Sequence, residues 1–90
     1  MRIEKDYDWA MYFVYILRCG DGTLYTGITT DLKRRVGEHK KGTGGRYTRS
    51  KTSVRLVYSE RAPSRSAALK REAEIKKWRR QKKLALIQLY

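Results

Sequence analysis

The chain has 90 residues, with 22 Lys or Arg against 9 Asp or Glu and a formal charge of +13 at neutral pH. That length supports one domain with one modest core and excludes a second, and so lopsided a charge is self-repulsive unless a polyanion meets it, which puts nucleic acid first among partners. A single cysteine and a single histidine make neither an intrachain disulfide nor a zinc site. With the cations spread between aromatics and no spanning or signal-type apolar stretch, a soluble cytoplasmic protein with no membrane contact is expected.

Residues 1–10 are polar and charged, with Trp9 near their end, and read as a flexible arm ahead of a single domain over 11–90. From Tyr12 to Leu17 every residue is aromatic or aliphatic, the composition of a strand buried on both faces. Gly20-Asp21-Gly22 is turn chemistry, and Leu24 to Ile28 forms the return strand. In "TTDLKRRVGEHKK" Thr30 can cap a helix and Asp31 favours its positive end; Gly42, Gly44 and Gly45 then end the helix and open the loop "GTGGRYTRSKTS". "VRLVYSE", Val54 to Glu60, alternates loosely as a third strand. After Pro63 helix formers run without a breaker to the end, as one helix or as two with a bend near Gln81. The order is ββαβα, an α+β fold with a small three-stranded antiparallel sheet flanked by helices.

Turn geometry decides whether the two hairpin phenols meet. A three-residue loop with glycine in the left-handed position makes paired positions sum to an even number, so Tyr15 and Tyr25 share a sheet face; a two-residue Asp21-Gly22 turn would set them on opposite faces. On the following helix Leu32, Arg35, Val36 and His39 fall on one side, while Lys33, Arg34, Lys40 and Lys41 spread across the flanks and back. An arginine and the histidine thus share the stripe that must face the sheet. On the last helix Glu72 projects into the middle of an arc made by Ala68, Leu69 and Ile75 with Ala73 at its edge. A carboxylate there is costly unless it is paired or holds a cation. Arg35 can supply the pairing; the alternative is a hard divalent ion.

"FVY" at Phe13–Tyr15, "YTG" at Tyr25–Gly27 ten residues on, then Arg35, His39 and the helical Glu72 resemble the GIY-YIG nuclease domain over Tyr12 to Trp78. "YILRC", "LYTGIT", "GGRYTR" and "LVYSE" are most similar to the small single-domain bacterial members, many of which have no assigned role. Phe13-Val14-Tyr15 departs from the first element of the family name, Thr26 replaces the central isoleucine of the second, and the chain lacks the late asparagine that some relatives use. The resemblance implies metal-dependent endonucleolytic hydrolysis of DNA phosphodiesters and a role of the DNA-repair kind, with Tyr15, Tyr25, Arg35, His39 and Glu72 as the site. Arg35 suits charge stabilisation on a phosphate, and Glu72 suits a single Mg²⁺ or Mn²⁺ ion acting as Lewis acid. Tyr15, assisted by His39 or Tyr25, is the expected general base, with His39 as its rival.

Substrate grip is expected from Lys33 and Arg34, from Arg46, Tyr47, Arg49 and Lys51 in the glycine-rich loop, and from Lys76, Arg79 and Arg80. The last three lie in "KREAEIKKWRRQKK", a run with eight basic residues around Trp78. Such contacts read the backbone and carry no sequence code. The expected substrate is branched, flapped or single-stranded DNA, unless a protein partner brings the specificity. Two other classes remain open: a nucleic-acid-binding module without the reaction, and an RNA-directed nuclease or ribosome-associated factor.

Overall fold

The computed structural model of the chain describes residues 11–42 and 53–89. Its elements are strand β1 (Tyr12–Cys19), strand β2 (Leu24–Thr29), helix α1 (Leu32–Lys40), strand β3 (Val54–Ala62), helix α2 (Arg65–Lys76) and helix α3 (Arg80–Gln88). The strands form one sheet in the order β2-β1-β3, antiparallel at both junctions. The unbroken apolar run of β1 takes the middle, where Val14, Tyr15, Ile16 and Leu17 are all at most 1% exposed. Each aliphatic side chain buried there contributes roughly 1.5–3 kcal/mol of transfer free energy.

The hairpin loop is the three-residue form. The Gly22 amide donates to the Cys19 carbonyl at 2.8 Å and the Cys19 amide to the Thr23 carbonyl at 2.9 Å, with Gly22 at φ +88°, a conformation that a side chain at Cβ disfavours. Tyr15 therefore pairs with Gly27 and Leu17 with Tyr25. Because side chains alternate, Tyr15, Leu17 and Tyr25 lie on one face.

That face packs Tyr15, Leu17 and Val54 against Tyr25, Leu32, Val36 and Leu56, which is where the apolar stripe of α1 docks. The opposite face carries Val14, Ile16 and Ala62 against Ala68 and Ile75 of α2, with Leu86 and Ile87 of α3 alongside. β3 pairs Leu56 with Leu17 but Tyr58 with Ile16. Val57 is the extra residue of this β-bulge, and Tyr58 and Glu60 then continue on the α2 face.

Three boundaries differ from the sequence reading. The α1 cap is Asp31, whose carboxylate accepts from the Arg34 amide; Thr30 does not take that role, because the Thr29 hydroxyl accepts from the Asp31 amide at 3.1 Å and sets the entry angle one residue later. β3 runs on to Ala62. The last segment is two helices, divided at Lys77–Arg79. A straight helix over 65–88 would extend about 36 Å, whereas the extended Arg79 (ψ 156°) turns Leu86 and Ile87 back onto the core. Within α2 the expected arc is narrower than the pattern implied: Ala68 and Ile75 are buried, but Leu69 is 38% exposed and Ala73 is exposed.

Candidate active site

The register of the hairpin aims Tyr15 across its partner strand. A Cβ at Gly27 would stand 2.6 Å from Tyr15 Oη and 2.8 Å from Cζ, so the phenol lies directly over that glycine, in space that only a residue without a side chain leaves open. From α1, His39 reaches the same point. Its Nε2 is 3.0 Å from Tyr15 Oη, and both residues are 1% exposed. Tyr25 completes a triangle of rings, with centroids 6.3 Å from Tyr15 and 5.1 Å from His39. The two phenols and the imidazole thus converge from β1, β2 and α1, as the spacing of the sequence anticipated.

Arg35 stands one turn before His39 and is only partly covered. Its Nη1 donates to Glu38 at 2.8 Å, and its guanidinium also acts on the Tyr15 phenol as a donor. Arg34 donates to the other oxygen of the same carboxylate at 2.7 Å. The pairing considered for Arg35 with Glu72 is therefore not made: Glu38, three residues along the same helix, occupies the guanidinium. Neither its spacing nor its type marked Glu38 out beyond an ordinary i, i+3 pair.

Glu72 approaches from α2, which contacts β2 as well as β1 and β3. Its side chain is 19% exposed and its carboxylate accepts from Lys76 Nζ at 3.3 Å. Lys76, expected among the backbone contacts, is thus turned onto this carboxylate. The negative charge of Glu72 bears on the Tyr15 phenol, which places carboxylate, phenol, guanidinium and imidazole in one electrostatic neighbourhood.

Environment sets the protonation of the pair. Burial pushes the Tyr15 phenol above its usual 10, with Arg35 opposing and the Tyr25 and Glu72 charges adding to the rise. Burial, reinforced by the Arg35 cation, holds His39 below its usual 6.5. At neutral pH the 3.0 Å contact therefore joins a protonated phenol to a neutral imidazole, an arrangement in which Nε2 can receive the phenolic proton. Among the described residues no group of three or more His, Cys, Asp or Glu is arranged to hold a metal ion. Glu72 offers one carboxylate to this neighbourhood as an oxygen donor.

Of the expected nucleic-acid contacts, Lys33, Arg34, Arg79 and Arg80 are exposed; Arg46, Tyr47, Arg49 and Lys51 lie outside the described residues, as do residues 1–10. On the α2 face a second polar cluster escaped the sequence reading. Arg71 Nε donates to Glu60 at 2.8 Å, Tyr58 Oη donates to the same carboxylate, and the Trp78 ring meets the Arg71 guanidinium at 5.2 Å and the Lys82 ammonium at 4.3 Å. The bulge at Val57, invisible in the loose alternation of "VRLVYSE", brings Tyr58 and Glu60 together there.

Residues 11–85 match the family model described as the GIY-YIG catalytic domain. The chain is 54% identical over 78 residues to a UPF0213 protein of Natronomonas pharaonis, covering 87% of this chain and 92% of that one, and 53% identical over 76 residues to a UPF0213 protein of Staphylococcus aureus, covering 84% and 93%. The solution structure of a UPF0213 protein from Bacillus halodurans superposes with a TM-score of 0.57 at 44% identity, over 88% of this chain and 84% of that one. The solution structure of an E. faecalis protein superposes with a TM-score of 0.59 at 38% identity, over 88% and 85%.

Proposed function

Starting from a chain that belongs to the GIY-YIG catalytic domain family, within the nuclease superfamily, we propose that it is an endonuclease hydrolysing phosphodiester bonds in DNA, directed by the shape of the strand and not by its sequence. The observation that carries this reading is the 3.0 Å contact between Tyr15 Oη and His39 Nε2, with Arg35 and Glu72 both acting on the same phenol. A packing role alone calls for none of these charges beside a buried hydroxyl.

Attack on a diester needs a proton acceptor for water, positive charge at the non-bridging oxygens, and help for the leaving oxygen. Tyr15 serves as the acceptor through a relay. The water proton passes to Tyr15 Oη as the phenolic proton passes to His39 Nε2, so Tyr15 never has to become a free phenolate and His39 carries the proton as an imidazolium that later returns it to solvent. The hydroxide forms the new P–O bond, the bond to the leaving oxygen breaks, and that oxygen takes a proton from solvent. Arg35 turns its guanidinium to the phosphate, where its planar fork matches two oxygens. Tyr25, less buried than Tyr15, flanks the imidazole and limits its movement.

A divalent ion, Mg²⁺ or Mn²⁺, fits this donor set only in one form. Mg²⁺ commonly keeps several waters and binds through one or two carboxylates together with substrate phosphate, and one mostly shielded carboxylate is what Glu72 offers once Lys76 releases it. When bound, such an ion supplies Lewis acidity toward the phosphate and leaving oxygen.

Parallel cleavage assays on labelled DNA and RNA junctions, flaps and single strands, with Mg²⁺, with Mn²⁺ and with chelator, test the reading. Metal-dependent cutting of DNA is expected, abolished in Arg35→Ala and Glu72→Ala with the circular dichroism of the native chain retained. Near-native cutting by either variant would remove it from the site. Tight binding without cutting by the native chain under every condition would make this a binding module, and cutting confined to RNA would move the substrate.

A further inference from the structure

Between the end of β2, the start of α1 and the start of α2 a groove opens, which shares Arg34 with the surfaces that the sequence marked for substrate grip but is otherwise lined by residues outside them. Tyr12, Thr29 and Thr30 line it together with Arg34, Arg35 and Arg65. Three arginines from two helices therefore line one depression, and neither Asp nor Glu is among its lining residues. The three are not equivalent. Arg34 meets Glu38 at 2.7 Å and Asp31 at 3.9 Å, and Arg35 meets Glu38 at 2.8 Å. Arg65 is exposed and forms no ion pair among the described residues. Among those residues, the charge left without a counter-ion in the groove is thus that of Arg65. Arg35 belongs both to this groove and to the neighbourhood of the Tyr15 phenol, so the groove leads away from the point where a phosphate would be attacked. Its other walls carry an aromatic ring and two hydroxyl-bearing residues, surfaces that suit sugars and an unstacked base.

We propose that this groove is the track for the nucleic-acid strand beside the cleaved bond, with Arg65 holding the backbone phosphate that flanks the one on Arg35. The assignment rests on the nucleolytic reading for the identity of the strand, but its chemistry requires only a polyanionic backbone. Arg65 supplies a bidentate donor where the neighbouring guanidiniums are already engaged. Nothing in the sequence singles it out, since Arg65 opens a helix 30 residues beyond Arg35 and stands in a basic chain among many similar cations.

The test is equilibrium binding, read by fluorescence anisotropy on a labelled DNA junction and on a labelled single strand in chelator, so that no cleavage intervenes. Native chain, Arg65→Ala, Arg65→Lys and Arg18→Ala are titrated at a series of salt concentrations. Arg18 is exposed on the sheet, apart from the groove lining, and its removal lowers the net charge by the same single unit. Each phosphate that the protein no longer neutralises makes the plot of log affinity against log salt shallower by roughly 0.7–0.9. Arg65→Ala is expected to bind several-fold more weakly with that shallower slope. Arg65→Lys should keep the native slope while losing part of the affinity, and Arg18→Ala should keep the slope. Equal slopes and affinities for native chain and Arg65→Ala, or the same loss in Arg18→Ala, would overturn the assignment. If Arg65→Ala matches the native chain in binding while the native chain cuts, the groove is refuted and the nuclease stands. If the slope falls as expected but nothing cuts, the groove stands and the reaction is refuted.

Discussion

Gly27→Ala is the substitution whose outcome the geometry fixes most tightly. In a strand with room for it, replacing glycine by alanine stabilises by roughly 0.4–1 kcal/mol through the unfolded chain. Here the new methyl would stand 2.6 Å from Tyr15 Oη and 2.8 Å from Cζ, against a comfortable carbon contact of about 3.5–4.0 Å. The hydroxyl must retreat by about 1 Å, but the ring is 1% exposed and wedged beside Leu17 and Val54. Overpacking of this sort costs about 1–3 kcal/mol, and loss of the buried bond to His39 adds about 0.5–1.5 kcal/mol. A net destabilisation of about 2 kcal/mol corresponds to roughly 8–16 °C in Tm for a domain of this size. Displacing an acceptor by about 1 Å also costs on the order of 100-fold in rate. Thermal melting by circular dichroism, with Gly37→Ala as the matched comparison, reads the first effect. Gly37 lies inside α1 with nothing within 4 Å of its added Cβ, so that variant should gain about 0.5–1 kcal/mol. A Gly27→Ala protein that melts with or above the native chain would show that the phenol does not rest on this glycine.

Acid should weaken the fold through His39. Its folded-state pKa lies below the ordinary 6.5, so between that lower value and 6.5 the unfolded chain binds the proton first; stability is complete above 6.5 and declines as pH falls through that window. His39→Gln should flatten that slope in pH-dependent denaturation, and an unchanged slope would assign it elsewhere. Thr26→Val should raise stability by about 1 kcal/mol, because the Thr26 hydroxyl is buried without a hydrogen-bond partner among the described residues and an isosteric methyl removes its desolvation cost; a less stable variant in urea denaturation would reveal a bond that the hydroxyl makes. Glu60→Ala strips Tyr58 and Arg71 of a shared acceptor and should cost about 2 kcal/mol. Spectrophotometric titration should also show Tyr58, pushed up to about 12 by burial and by Glu60, returning toward the usual tyrosine range; no change in its titration would contradict the bond.

The parts of the fold that were legible in the sequence are those fixed by short-range physics. The apolar run of β1 marked a buried strand, and Gly20-Asp21-Gly22 marked the turn; of the two loop lengths it allowed, the three-residue one is formed and its parity puts both phenols on one face. Helical spacing put Arg35 and His39 on the stripe with Leu32 and Val36, and the structure buries His39 there while leaving Arg35 partly covered. What escaped depends on neighbours distant in sequence or on small shifts of register. The bulge at Val57 inserts one residue and so reassigns Tyr58 and Glu60 to the α2 face, where Arg71 meets them. The pairing of Lys76 with Glu72 and of Glu38 with both arginines are choices among several equally spaced partners, and periodicity does not rank them. A bend near Gln81 was one of two readings of the last segment, but no glycine or proline fixes its place; the break before Arg80 follows from the need to return Leu86 and Ile87 to the core.

The most direct test of the central claim, that Tyr15 and His39 act as one proton relay, is a double-mutant cycle. Single-turnover cleavage of the preferred labelled DNA would be measured for the native chain, Tyr15→Phe, His39→Ala and the double variant, with folding checked by melting. Groups that work as one unit are strongly non-additive, so the account predicts two large and similar single losses and a double variant no slower than the worse single. Losses that multiply in the double variant, or a Tyr15→Phe protein that cuts at the native rate, would contradict it.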